Sequence, residues 1–235
     1  MNEKAERFYR KVAKYGGWRE VPAQRIHAVL EEIVQPGRMG FTVARPGLFA
    51  NPLDRNITHV IKLRRLKGAA CDICFGVSLS YVPYPFLPRV RWHRTLKSAG
   101  LDLFCAPQVD GRTQADATAA DENPYFITIG LGEQCLRDEM SRAWEKSSPL
   151  AASWFEGTRS LEGILRECSL QIGRSGVGVK YLPGARLVAA FTLARLGRKV
   201  EADSELRKFS EEYQEGAEAM ANLNAALVRV HQGTN

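Results

Sequence analysis

The stretch from Ile57 to Val82 constrains the fold most. Ile57, His59, Ile61 and Leu63 recur at every second position, as do Ile73, Phe75, Val77, Leu79 and Tyr81. Cys74, Gly76, Ser78 and Ser80 occupy the alternate positions of the second run. Successive side chains of a strand point to opposite faces, so both runs are expected as amphipathic strands, each with one buried and one lighter face. Residues 64–70 join them.

Helical spacing governs the flanks. Asn2 to Tyr15 reads as a helix carrying Arg7, Arg10, Lys11 and Lys14 on its surface, ended by Gly16-Gly17. Pro22 opens a second helix with Ile26, Val29, Leu30, Ile33 and Val34 as its apolar stripe, stopped by Pro36-Gly37. Gly40 to Ala44 is a strand candidate leading to turns at Pro46-Gly47 and Asn51-Pro52. Val82 to Pro88 is too proline-rich for a central strand and reads as an extended connector. Val90 to Leu96 fits an edge strand or a loop, while Leu101 to Cys105 and Tyr125 to Ile129 fit short strands. Asp110 to Asn123 reads as an exposed polar loop.

From Gly132 the period is helical. Leu136, Met140, Ala143 and Trp144 share a face, and Pro149 to Gly157 is expected to break it. Thr158 is the expected N-cap of the next helix, with Leu161, Ile164, Leu165, Cys168 and Ile172 inward. Pro183 opens a further helix with Gly197 as its C-terminal stop, followed by apolar positions Val200, Leu206, Phe209 and Tyr213. A last helix uses Met220, Leu223, Leu227 and Val230. Helices, then strands, then helices define an α+β fold with a mainly antiparallel sheet. The expected division is an α+β domain over 1–173 and a C-terminal helical segment over 181–235 packed on it. Leu193, Leu196, Gly197, Ala202 and Leu206 resemble half of a tetratricopeptide unit. One hairpin makes no solenoid, so a closing helical hairpin is expected.

The chemical motifs are weak. Gly173 to Lys180 lacks the lysine-then-hydroxyl order of a phosphate loop and follows a helix rather than a strand, which favours a plain connection. Cys71 and Cys74 form one CxxC, half of a zinc site, and sit on a strand rather than at a helix N-terminus, so packing is expected of them. The five cysteines are an odd number in a chain that opens without an apolar leader, which favours reduced thiols and a cytoplasmic protein. No apolar run approaches the roughly 20 residues of a membrane span. An enzyme would need His59, Asp72 or His93 to converge in a cleft; no local motif draws them together. No metal or cofactor is expected.

Charge offers the stronger lead. Met1 to Ala115 holds 19 Lys+Arg against 9 Asp+Glu, whereas Asp116 to Asn235 holds 14 against 17. Lys62, Arg64, Arg65 and Lys67 form one cluster; Arg89, Arg91, Arg94 and Lys97 form another, with Trp92 and His93 between them. Such clusters suit an acidic protein partner or, with Trp92 stacking on a base, nucleic acid. A solvated, charge-blunted edge strand is the plainer reading of the second cluster. The expectation is a non-enzymatic binding protein whose basic first half recognises an acidic partner, with nucleic-acid binding as the alternative.

Between Arg25 and about Ile172 the order of features resembles an uncharacterised bacterial family, domain of unknown function 4304. The residues that carry the resemblance are the helix Ile26 to Val34, Gly40-Phe41, Ile57 to Leu63, Phe75 to Leu79 and Trp154-Phe155. It implies an α+β domain and assigns no catalytic residue.

Overall fold

The computed structural model describes residues 3–66, 69–86, 89–92, 95–105, 124–173, 184–213 and 217–233. The two alternating runs form β3 (Ile57–Arg65) and β4 (Ala70–Leu79), centred in a sheet of order β1-β2-β3-β4-β7. β1 is Thr42–Arg45, β2 is Leu48–Pro52 and β7 is Leu103–Cys105, while β8 (Phe126–Thr128) pairs with the start of β4. β1 with β2 and β4 with β8 are antiparallel. The chain is α+β, as its element order predicts.

β3 keeps much of its alternation, but β4 does not: from Cys71 to Leu79 every residue is buried. The expected lighter face is therefore covered too, and small Cys74, Gly76 and Ser78 allow the close approach. A Cβ on Gly76 would collide with the carbonyl of Leu103. β2 is an element that periodicity misses, because Leu48, Phe49 and Ala50 are all buried and no alternation marks them. The Pro46-Gly47 turn precedes it, with Gly47 at φ +74° and packed on the His27 ring. Val82 to Pro88 is no simple connector. Pro83–Phe86 is β5, paired antiparallel with β6 (Arg89–Trp92) in a separate ribbon. Two-stranded ribbons have only edges, so the missing N–H groups of Pro83 and Pro85 are tolerated.

The helices are α1 (Glu3–Lys14), α2 (Ala23–Val34), α3 (Gly132–Gly157), α4 (Leu161–Gly173), α5 (Gly184–Arg195), α6 (Lys199–Tyr213) and α7 (Ala217–His231). Pro149 does not end α3. Proline has no N–H for the Glu145 carbonyl, and the Ser148 hydroxyl donates to that carbonyl at 3.4 Å instead. The N-cap of α4 is Ser160, whose Oγ accepts from the Gly163 N–H at 3.1 Å, not Thr158. Gly197 ends α5 as expected: at φ +78° it donates to the Ala194 carbonyl while Arg198 donates to Leu193, a Schellman arrangement. Val200 is 83% exposed, so it is no part of the α6 stripe. The polar loop 110–123, the glycine-rich residues 174–180 and Pro183 lie outside the described residues.

Contacts divide the chain into two units. Unit 1 comprises Met1–Ala50, Ile61–Phe75 and Cys105–Ser153; unit 2 comprises Asn51–Val60, Gly76–Phe104 and Trp154–Asn235. β3 and β4 contribute residues to both. In unit 2, Ile57, Val77, Leu79 and Leu103 share one apolar core with α4, α5, α6 and α7, centred on Phe191 and Phe209. Several of its buried polar groups are paired. The Tyr81 hydroxyl lies 3.2 Å from Thr192 Oγ1, which donates to the Val188 carbonyl at 2.7 Å. The Asp102 carboxylate accepts from the Leu79 N–H at 2.6 Å, fastening the end of β4.

In unit 1, charged pairs tie elements together. Lys11 is not a surface residue: its ammonium reaches Glu139 Oε1 at 2.6 Å and Thr128 Oγ1 at 2.9 Å, and Glu139 Oε2 accepts from the Thr128 N–H at 2.7 Å. One carboxylate thus joins α1, β8 and α3. Arg25 and Arg137 chelate Glu133 and Glu32 across α2 and α3.

Candidate binding surface

The basic residues singled out by sequence meet different fates. Arg64 on β3 meets Asp72 on β4, and the pair is bidentate, with Nε to Oδ1 at 3.0 Å and a terminal nitrogen to Oδ2 at 2.5 Å. Asp72 is buried and Arg64 mostly so, which makes Arg64 a structural cation. Lys62 is half-buried, and its carbonyl accepts from the Cys74 thiol at 3.4 Å. Arg65 is exposed. Its charge is felt by His27, whose pKa is lowered first by burial and then by repulsion from Arg65. Lys67 and Arg94 lie outside the described residues, as does His93.

In unit 2, Arg89 opens β6 opposite Phe86, and Arg91, which is exposed, stands opposite Tyr84. Lys97 is exposed in the short 3-10 turn Leu96–Ser98. Trp92 is partly buried. It packs on the apolar core and meets Phe191 edge-on, with centroids 6.5 Å apart at 80°.

Residues that sequence offered for chemistry also have structural duties. His59 stacks on Phe155 with centroids 4.5 Å apart, and its Nε2 lies 3.4 Å from Thr158 Oγ1. That hydroxyl donates to the Trp154 carbonyl at 3.0 Å, which leaves it a lone pair with which to accept. Burial pushes the His59 pKa down to about 4, so the ring is neutral. Cys71 and Cys74 are fully buried, and burial pushes both thiols up to about 12, far from the thiolate a reactive cysteine needs. Among the described residues, no group of three or more His, Cys, Asp or Glu is placed to hold a metal ion. No helix among them is long and apolar enough to cross a membrane.

Counting by unit changes the picture of charge. Unit 1 holds 17 Lys+Arg against 14 Asp+Glu, and unit 2 holds 16 against 12. The sequence-half asymmetry therefore disappears at the level of folded units, and local exposure decides where cations are available. Two exposed arginines that sequence clusters missed, Arg38 and Arg45, lie in unit 1. The available signal was an absence: no acidic residue occurs between Glu32 and Asp54.

The fold and this surface define an α+β protein with locally exposed cations and inward-turned thiols and imidazole. No protein-family model matches the chain, and no curated protein or solved structure matches it.

Proposed function

We propose that this protein acts by binding an acidic protein partner, through the cations of unit 1 around Lys62 and Arg65. The observation that carries the reading is Arg65: exposed, with no ion pair among the described residues, and repelling the nearby His27. The residues best suited to catalysis support the same reading, since His59, Asp72, Cys71 and Cys74 are each engaged in packing or pairing. Trp92, packed against the core and Phe191 rather than standing free, supports a protein partner over nucleic acid. We also read residues 25–172 as related to the uncharacterised bacterial family they resemble, a relation that assigns no residue a role.

Fluorescence anisotropy with an acidic peptide and with single- and double-stranded oligonucleotides tests the proposal. The peptide should bind at low salt and dissociate as salt rises. Lys62→Glu with Arg65→Glu should weaken it by about tenfold or more. Oligonucleotide binding that is lost with Arg89→Ala and Arg91→Ala, and no peptide binding, would establish the nucleic-acid alternative instead.

A further inference from the structure

The outer edge of β1 belongs to unit 1. β1 ends the strand order, so among the described residues no strand pairs with its outer side. Thr42, Val43 and Arg45 are exposed, Val43 by 47%. The preceding 3-10 turn Pro36–Met39 abuts it, held by the Phe41 N–H on the Pro36 carbonyl at 3.0 Å, and adds exposed Arg38 and Met39. Arg38 and Arg45 have no ion pair among the described residues, and residues 33–53 contain no acid.

An open edge exposes unpaired N–H and C=O groups and normally carries devices against aggregation. This one has two: the register shifts between Val43 and Arg45, and a cation sits beyond the shift. Both act against a second copy of the same edge, because Arg45 would then face Arg45. The cation does not act against a strand of opposite charge, and the bulge confines such a strand to one side of it. The same arginine that repels a copy attracts a carboxylate, and Val43 and Met39 offer apolar contact between the two cations.

We propose that the β1 edge takes up an extended acidic peptide segment by strand addition, with main-chain hydrogen bonds to the outward-facing N–H and C=O groups of β1 and carboxylates on Arg38 and Arg45. This rests on the proposed recognition of an acidic partner and specifies its form: an extended segment alternating acidic and apolar residues, rather than a folded acidic surface.

The full-length protein is titrated with three labelled peptides of about ten residues, long enough for one strand. One alternates Glu and Val, the second has the same charge with prolines at the central apolar positions, and the third alternates Lys and Val. The Glu-Val peptide should bind and slow amide exchange at Thr42–Arg45. The proline peptide should bind at least about tenfold more weakly, and Arg45→Glu should cost a similar factor with the Glu-Val peptide. The Lys-Val peptide should not bind. Equal binding of the proline peptide, or binding without protection of Thr42–Arg45, overturns strand addition and leaves acidic-partner recognition standing. If neither acidic peptide binds, the underlying reading fails as well.

Discussion

Units 1 and 2 solve the same problem with different materials. Unit 2 buries four helices and the end of β4 around Phe191 and Phe209, and its buried Tyr81 and Thr192 hydroxyls answer one another. Unit 1 adds to its apolar core charged pairs that bridge elements, Lys11 with Glu139 and Arg25 with Glu133 far apart in sequence and Arg64 with Asp72 between consecutive strands. Apolar packing is non-directional and tolerates exchange of similar shapes. A buried charged pair is neither, since removing one partner strands the other. The two units should therefore respond differently to mutation, salt and acid.

The largest effect is expected in unit 2. Phe191→Ala removes a fully buried ring and should cost about 3–5 kcal/mol in urea unfolding, independent of salt. Lys11→Ala should cost somewhat less, about 3 kcal/mol, by leaving Glu139 buried beside β8 with its main counter-charge gone. A Lys11→Ala variant as stable as the parent would show that unit 1 does not depend on the pair.

Acid should act through His59. Its folded pKa lies near 4, below the ordinary 6.5, so the unfolded chain binds the extra proton first. That contribution is complete above about pH 6.5 and is lost as pH falls toward 4, amounting to at most about 3 kcal/mol. His59→Gln should flatten this part of the stability–pH curve while leaving the slope below pH 4 unchanged. The smallest effect belongs to Arg25→Ala, in an exposed network: a slight loss of stability at low salt that vanishes at high salt.

The same contrast explains what could be read beforehand. The stripes of α2 and α7 are visible because helical spacing is a local signal, and so is the Gly197 stop. β3 and β4 are visible as strands, but the covering of β4 on both faces is not, since burial depends on distant segments. β2 escapes because a buried three-residue run between turns has no period. Thr158 looks like a cap because a hydroxyl before a helix usually is one; Ser160, two residues on, takes that part, and Thr158 serves His59. Basic clusters are equally visible as composition, yet composition does not say that Arg64 faces Asp72 or that Trp92 faces Phe191. Arg38 and Arg45 are two isolated residues in sequence, and only the edge position of β1 makes them neighbours of an open surface.

The central claim is that cations of unit 1 recognise an acidic partner. It is tested most directly by measuring acidic-peptide affinity, at one fixed low salt, for two charge reversals: Lys62→Glu with Arg65→Glu in unit 1, and Arg91→Glu with Lys97→Glu in unit 2. The account predicts a loss of about tenfold or more for the first pair and little change for the second. Full affinity in the first pair, with the loss confined to the second, would contradict it.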